Sequence, residues 1–273
     1  DLLVYELLLR DFTDSSGILT AMEKLPYLKN LGVNAVQLMP VMEFDGNESW
    51  GYAPNFFFAP DKFYGRKTDY KRFIDECHKL NMAVVLDIVT NHCFGLCPLA
   101  MMYFDPLTGT GQPLPENPWL NPQAPHPLSV GYDFNHQSPH TRAFFKRVLE
   151  YWLTEYKVDG FRFDLSKGLT QKYSGSDLGA WSQYDQGRID ILNDYYQHIK
   201  SVNPKAYVIL EHFAENSEET VLANAGMLPW SGMHDRYKQV GIGWSTNSDL
   251  SWAYHANRGW TYPNLIDYME NHD

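Results

Sequence analysis

Short apolar runs alternate with amphipathic helical segments along most of this chain, and this alternation restricts its fold more than any other feature. The runs predicted as strands are residues 2–9, 33–39, 82–89, 158–164, 206–211, 226–230 and 265–273. Helical spacing of apolar residues predicts helices at residues 18–31, 69–80, 141–156, 188–202 and 218–225. Continuous apolar strands separated by helices indicate parallel βαβ units.

Seven strands alternating with helices predict an α/β fold, a TIM (β/α)8 barrel that stops after strand seven. Such barrels take about 250 residues, and this chain has 273. A barrel cannot leave its seam open without exposing two strand edges, so we expect a fragment or an eighth strand beyond residue 273. An open doubly wound sheet is the alternative, but no Gly-rich phosphate loop follows the first strand.

Residues 93–132 interrupt the alternation. They are rich in Pro, Gly and Asn and lack a clear periodicity, and a structureless segment of that length is usually functional. We therefore predict an excursion at 93–132, inserted after strand three between a first barrel part at 1–92 and a second at 133–273. A further loop, rich in Gly, Pro and aromatic residues, is predicted at residues 41–65.

The composition of the chain limits the classes of partner that it can bind. The formal net charge of -11 argues against nucleic acid or an anionic membrane, and no run is long and apolar enough to span a bilayer. The three cysteines give no disulfide framework and a poor zinc signal. Aromatic residues make up 15% of the chain, which favours stacking platforms for flat ligand faces. Oligomeric state and compartment are left open.

Charged residues and histidines follow several of the predicted strands at their carboxyl ends, where barrels of this kind place their active sites. They are Asp87, Asn91 and His92 after strand three, Arg162 and Asp164 at strand four, Glu211 and His212 at strand five, and His272 and Asp273 at strand seven. Carboxylates crowded round one rim repel each other, which raises their pKa values and costs stability. The crowding therefore indicates a function.

Two interpretations of Arg162 and Asp164 stay open from their own stretch alone. The two residues are separated by one position, so they point to the same side of a strand. They form either a structural ion pair or a carboxylate held ionised for nucleophilic attack. Crowded carboxylates suit a divalent metal or glycoside cleavage, and an arginine beside Asp164 argues against a dication there. An enolase-type metal site would require a lysine base at a neighbouring strand end, and none stands out. Glycoside cleavage therefore explains the crowded carboxylates better than a metal site does.

Four segments resemble the short motifs of the α-amylase superfamily, glycoside hydrolase family 13. They are Asp-Ile-Val-Thr-Asn-His at 87–92, Gly-Phe-Arg-Phe-Asp at 160–164, Ile-Leu-Glu-His at 209–212 and Glu-Asn-His-Asp at 270–273. They occur in the family's order across nearly the whole chain. The resemblance implies a catalytic barrel whose domain B is the excursion at 93–132. It also implies an eighth strand, and usually a β-sandwich domain, after the fourth motif.

The resemblance implies roles for individual residues. Asp164 would be the nucleophile that forms a covalent glycosyl-enzyme, Glu211 the general acid and then base, and Asp273 a ligand of substrate hydroxyls. The substrate-binding residues that it implies are Tyr52, Asp87, His92, Arg162, His212 and His272. Of these, His212 departs from the family's usual apolar or aromatic residue, and it could contact substrate, tune the acid or do neither. Plain packing is the alternative for Tyr52.

The chemistry requires no cofactor, but many family members bind a structural Ca²⁺ between domain B and the barrel. Asn91 matches one ligand position and Asp133 resembles another. Gly168 stands where many amylases have a histidine that supplies a backbone carbonyl. Hard oxygen ligands of this kind suit Ca²⁺, and calcium-free packing of Asn91 is the alternative.

The resemblance implies an α-glucan substrate, such as starch, glycogen or maltooligosaccharides. We predict an α-amylase-type hydrolase of α-1,4 bonds, in which water attacks the intermediate. Residues 49–52, 57–60 and 64–65 resemble the branching and debranching members of the family, so a 1,4-α-glucan branching enzyme or a debranching enzyme is the alternative. A hypothesis from another functional class is a non-catalytic glycan-binding barrel. It predicts the loss of at least one of the three acids Asp164, Glu211 and Asp273. A metal-dependent lyase or isomerase predicts no glucan cleavage in EDTA.

Overall fold

The computed structural model describes residues 2–105 and 111–272, so the predicted site residue Asp273 lies outside the described residues. Its strands are β1 (Val4–Leu7), β2 (Ala35–Leu38), β3 (Met42–Phe44), β4 (Pro54–Pro60), β5 (Ala83–Val89), β6 (His92–Cys93), β7 (Tyr132–Asp133), β8 (Gly160–Asp164), β9 (Tyr207–Leu210) and β10 (Leu228–Pro229). Its α-helices are α1 (Leu9–Phe12), α2 (Ile18–Glu23), α3 (Leu25–Asn30), α4 (Lys67–Lys79), α5 (Pro98–Met101), α6 (Pro139–Tyr151), α7 (Leu178–Ser182), α8 (Gln186–Val202), α9 (Asn216–Ala225) and α10 (His234–Gly241).

Six strands form one parallel sheet in the order β1-β2-β5-β8-β9-β10. Successive strands along the sheet are joined by helical crossovers, as expected for βαβ units. The sheet is a parallel half-barrel, which confirms the predicted α/β class. Parallel strands bring their carboxyl ends to one rim, where Asp87, Asp164 and Glu211 lie in or directly after β5, β8 and β9.

The helices cover the sheet because their apolar residues recur at helical spacing. In α4, Tyr70, Phe73, Ile74 and Cys77 are buried, at positions i, i+3, i+4 and i+7. Burying one large apolar side chain contributes roughly 1.5–3 kcal/mol to stability. The apolar faces of the helices therefore anchor the scaffold on which the rim residues sit.

Several predicted elements differ from the structure. The helix predicted at 18–31 is split into α2 and α3 at Lys24, because Pro26 lies in the first turn of α3 and lacks the N–H that a continuous helix needs. The loop predicted at 41–65 contains the antiparallel pair β3 and β4. The strand predicted at 265–273 is reduced, within the described residues, to a parallel bridge between Trp230 and Ile266.

The segment 93–132 begins and ends at one short ladder. In it, β6 pairs antiparallel with β7 through His92 with Asp133 and Cys93 with Tyr132. The described residues between these strands form α5 and isolated bridges. No helix in the described parts of the chain has the length and apolar character needed to cross a membrane.

Candidate active site

Arg162 is the centre of the rim. Its side chain is fully buried, and its Nη1 contacts Asp87 Oδ1 at 2.9 Å and Asp164 Oδ1 at 2.9 Å. Its Nη2 lies 3.2 Å from Glu211 Oε2. The guanidinium carbon also lies 4.2 Å from the ring centre of Trp230, which gives it a stacking surface. One arginine therefore joins three carboxylates that come from the ends of three adjacent strands.

Asp164 ends β8 and is the predicted nucleophile. Its side chain is 13% exposed, so it is reachable from the rim while most of it is out of water. Burial raises the pKa of Asp164 to about 6, and the Arg162 guanidinium acts in the opposite direction. Above that pH the carboxylate is ionised, as nucleophilic attack requires.

Glu211 follows β9 directly and faces Asp164 across Arg162. Its side chain is 14% exposed, and its Oε2 accepts a hydrogen bond of 2.7 Å from the backbone N–H of Leu165. Leu165 adopts a left-handed backbone conformation with φ of 43°. Strained non-glycine residues of this kind collect at functional sites, and here the turn directs an N–H at the predicted acid.

Asp87 and Tyr52 lie beside Arg162. Asp87 is fully buried, and both of its carboxylate oxygens accept from Arg162 Nη1. The Tyr52 hydroxyl donates to Asp87 Oδ2 at 2.8 Å and also lies 2.8 Å from His272 Nε2. Burial raises the pKa of Asp87 to about 6 and raises the pKa of Tyr52 well above its usual range. The Tyr52 and His272 rings are stacked, with centres 5.2 Å apart.

His92 is buried behind the rim, which differs from the expectation that it contacts a sugar hydroxyl. Its Nε2 lies 2.8 Å from the carbonyl oxygen of Tyr52, and its Nδ1 lies 3.2 Å from Asn91 Nδ2. Burial lowers the pKa of His92 to about 4, so the ring is neutral. Both ring nitrogens are engaged within the protein, and His92 supports the backbone of Tyr52.

His212 also differs from the expected substrate contact. The ring is fully buried, with Nε2 2.7 Å from Glu218 Oε1 and Nδ1 2.9 Å from the Ser166 hydroxyl. Burial lowers the pKa of His212, and its Nε2 donates to the Glu218 carboxylate. The Ser166 hydroxyl that contacts Nδ1 also donates to the backbone carbonyl of Glu211 at 2.8 Å. Arg188 holds Glu218 from the other side with two hydrogen bonds. These contacts link the residue after Glu211 to Ser166 and Glu218 and leave no part of the ring exposed.

Of the two residues expected to bind calcium, Asp133 has its carboxylate oxygens engaged by other side chains, and the side-chain oxygen of Asn91 is not engaged. Asn91 Oδ1 is buried without a hydrogen-bond partner, as a cation ligand would be. However, Asp133 Oδ1 lies 3.1 Å from His126 Nε2, and Asp133 Oδ2 accepts from Asn121 at 2.7 Å. Ca²⁺ takes six to eight oxygen ligands. The described residues contain no group of three or more His, Cys, Asp or Glu side chains that could hold a metal ion.

The imidazole of His126 fills the space beside Asp133. It is fully buried and stacks on Trp181 with ring centres 5.2 Å apart. A Cβ at Gly168 would overlap Asn91 Oδ1 and lie 3.3 Å from His126 Nε2. The glycine thus leaves room for the Asn91 amide and the His126 ring, and a cation at Asp133 would have to displace that ring.

Three residues with contacts at or near the site, Glu6, His126 and Glu218, were not predicted from the sequence. Glu6 had a usable signal, because it is the one charged residue in the apolar run 2–9. It accepts from the backbone N–H of His272 at 2.9 Å and lies 3.0 Å from His272 Nδ1. His126 and Glu218 lie in segments without such a contrast, and only their tertiary contacts reveal them.

The parallel α/β sheet thus carries, at its carboxyl rim, three carboxylates joined by one buried arginine. Comparisons with known proteins identify the family. A family model described as "Alpha amylase, catalytic domain" matches residues 10–97. A 1,4-alpha-glucan branching enzyme GlgB of Saccharophagus degradans is 30% identical over 233 residues, covering 85% of this chain and 30% of the relative. A malto-oligosyltrehalose trehalohydrolase of Saccharolobus solfataricus is 32% identical over 166 residues, covering 60% of this chain and 27% of the relative.

The chain belongs to the α-amylase superfamily, glycoside hydrolase family 13. Among solved structures, a pullulanase from Anoxybacillus sp. shares its fold with a TM-score of 0.73 at 23% identity, covering 100% of this chain and 44% of that chain. The maltogenic α-amylase AmyB of Thermotoga neapolitana has a TM-score of 0.72 at 20% identity, covering 100% of this chain and 60% of that chain. The chain spans only about a third or less of the two curated relatives' lengths, 30% and 27%.

Proposed function

We propose that this chain carries the active site of a retaining α-glucan hydrolase of the α-amylase type, which cleaves α-1,4 bonds through a covalent glycosyl-enzyme. The observation that supports this most strongly is the contact of Arg162 with Asp164 and Glu211 at the ends of adjacent strands. Retaining enzymes need two carboxyl groups about 5–5.5 Å apart, and a shared guanidinium favours such a spacing. The relatives, whose names include glucan-acting enzymes, support an α-glucan substrate.

The proposed reaction has two steps. The Asp164 carboxylate attacks the anomeric carbon, the glycosidic C–O bond breaks, and Glu211 gives its proton to the leaving oxygen. Water then attacks the anomeric carbon, gives a proton to Glu211, and breaks the bond to Asp164. Arg162 compensates the charge of the Asp164 carboxylate between turnovers, and Asp273 is proposed to bind substrate hydroxyls. Tyr52, Asp87 and His272 form the wall beside Arg162.

Branching is the second candidate. It differs only in the acceptor, since a sugar hydroxyl rather than water attacks the intermediate. Branching enzymes account for the relatives that cover most of this chain, for example 95% for the one from Prochlorococcus marinus at 26% identity. Debranching has weaker support, because the likeness to pullulanases shows the fold alone.

One assay decides among these readings. The full-length protein is incubated with soluble starch while reducing ends and iodine absorbance are followed together. Rising reducing ends with falling iodine colour support hydrolysis of α-1,4 bonds, whereas rising reducing ends with rising colour favour debranching. Iodine colour that falls while reducing ends stay flat contradicts hydrolysis and favours branching. Binding of maltooligosaccharides without either change contradicts both and favours a non-catalytic glycan-binding barrel.

The finer fold assignment is also a proposal. We place the chain in a (β/α)8 barrel with parts 1–92 and 133–273 and a domain B at 93–132. The ladder between β6 and β7 supports the excursion, because it joins the two ends of that segment. A cleft of about 420 Å³ between β1 and residues 265–271 supports an eighth strand that would pair with β1.

We propose that the hydrogen bond between His126 and Asp133, called the histidine clasp below, takes the place of a bound calcium ion. His126, from the segment 93–132, donates to the carboxylate of Asp133 and packs on Trp181. The ring therefore links the excursion to the barrel, which is the connection that a bound cation would otherwise make.

Removing calcium is therefore expected to leave Tm unchanged. A bound ion at 100 times its Kd would add about 2.7 kcal/mol to the free energy of unfolding, so thermal scans in EDTA and in excess Ca²⁺ separate the cases. In His126→Asp, a carboxylate replaces the ring beside Asp133 and Asn91, and we expect Ca²⁺ to raise the Tm of that variant. A fall in the wild-type Tm on adding EDTA would contradict the clasp.

A further inference from the structure

A chain of hydrogen bonds crosses the rim from β1 to β5. It runs from Glu6 to His272 Nδ1 at 3.0 Å, from His272 Nε2 to the Tyr52 hydroxyl at 2.8 Å, and from that hydroxyl to Asp87 Oδ2 at 2.8 Å. Glu6 also accepts from the backbone N–H of His272 and from Gln37 Nε2. Glu6 is thus anchored on two adjacent strands, since Gln37 is its register partner on β2.

The three hydrogen bonds from Glu6 to Asp87 fix the number of hydrogens that the groups between them must carry. Three consecutive hydrogen bonds need three hydrogens, and the groups between the two carboxylates are one imidazole and one phenol. A neutral imidazole and a phenol supply only two hydrogens, so one additional proton must be bound within this series of hydrogen bonds. Asp87 is a poor place for that proton, because Arg162 donates to both of its oxygens. Glu6 is a poor place as well, because it also accepts from the backbone N–H of His272 and from Gln37 Nε2. The extra proton therefore belongs on His272.

The surroundings of His272 agree with a positive ring. Glu6 faces it from β1, Tyr52 from the turn before β4, and Asp87 from β5, while Asp164 lies within electrostatic reach on β8. A cleft of about 510 Å³ beside the ring is also lined by Glu270 and by Asp11, whose carboxylate pairs with Arg10. Arg162 is the cation that faces this group from β8, and it is already shared among three carboxylates.

We propose that Glu6 is a positioning residue of the site, which holds His272 against Tyr52 with both ring nitrogens protonated. The ring then presents a second positive charge to Asp87 and Asp164, beside that of Arg162. Glu6 also fixes the segment that carries His272, through the bond to its backbone N–H. In the same segment, Ile266 forms a parallel bridge with Trp230. The inference depends on the proposed function in one respect, because the positive charge of His272 has a catalytic use only if that function is correct.

The protonation of His272 is tested directly by NMR on the full-length protein labelled with ¹⁵N-histidine. The chain has 10 histidines, and the signal lost in a His272→Gln variant assigns the ring. At neutral pH we expect both ring nitrogens of His272 to carry a proton. A ring nitrogen without a proton in the wild type would overturn the inference, whatever the variants do.

The role of Glu6 is tested with Glu6→Gln, which keeps the size of the side chain and removes its charge. We expect His272 to lose one ring proton at neutral pH, and kcat/KM on maltooligosaccharides to fall roughly ten- to a hundredfold, as for a lost charge-assisted hydrogen bond. Glu43→Gln is the matched control, because Glu43 pairs with the exposed Lys62 away from the site. It should change neither readout.

The outcomes separate this inference from the proposed function. If the wild type has no activity on glucans, the proposed function fails, while the NMR result still decides the protonation of His272. If the wild type is active but His272 is neutral, only the role of Glu6 fails. A doubly protonated His272 that stays unchanged in Glu6→Gln also contradicts the role of Glu6.

Discussion

Replacing Asp164 with asparagine is expected to remove turnover on α-glucans while the protein stays folded. The amide cannot form the covalent intermediate, and loss of a nucleophile lowers kcat on the order of 10⁴-fold or more. Arg162 Nη1, 2.9 Å from Asp164 Oδ1, can still donate to the amide oxygen, so we expect little change in Tm. Initial rates from reducing ends, with thermal unfolding of the same samples, check both parts.

The matched control for this change is Asp190→Asn. Asp190 lies on the exposed face of α8 and accepts from Gln186, a bond that an asparagine oxygen keeps. This variant should retain wild-type kcat. If Asp164→Asn keeps more than a small fraction of wild-type activity without contamination, Asp164 is not the nucleophile and the assignment of the rim fails.

Replacing Arg162 with methionine is expected to be the most destabilising single change at the rim. Removing one partner of a buried ion pair costs about 3–5 kcal/mol, because the remaining charges are left uncompensated. Here Asp87, Asp164 and Glu211 would face each other without the shared guanidinium. Denaturant unfolding measures the loss, which should be smaller at low pH, where the carboxylates can take up protons.

Two variants control for the arginine itself. Arg147→Met removes an exposed arginine on α6, and surface changes of this kind are usually within about 0.5 kcal/mol of the wild type. Arg162→Lys keeps the charge but loses the planar fork that reaches several carboxylates, so we expect an intermediate loss. An Arg162→Met protein as stable as the wild type at neutral pH would contradict the arrangement of charges described here.

Much of the scaffold was predictable because its elements have strong local signals. The apolar runs that became β2, β5 and β8 are continuous and bounded by helices, so their class and parallel pairing followed from the pattern. The rim residues followed as well, because the carboxyl ends of parallel strands meet at one edge. The segment around Ile266 was harder, since a run with strand-like composition formed only a bridge there.

What the sequence did not reveal depends on tertiary contacts between distant residues. His212 and His92 were placed at the right strand ends, but only the structure shows that both rings are engaged within the protein. The link from His126 to Asp133 joins a segment without periodicity to the barrel. Glu6 is separated from His272 by most of the chain, so no local pattern could pair them.

The measurement that tests the central claim most directly is capture of the covalent intermediate. A Glu211→Gln protein is treated with an activated fluorinated α-glucosyl fluoride, digested with a protease and analysed by mass spectrometry. An activated leaving group needs little acid catalysis, while the missing base slows release of the intermediate. The account predicts one added glycosyl mass on the peptide that contains Asp164. A label on another residue, or no label on a protein that still cleaves the reagent, would contradict it.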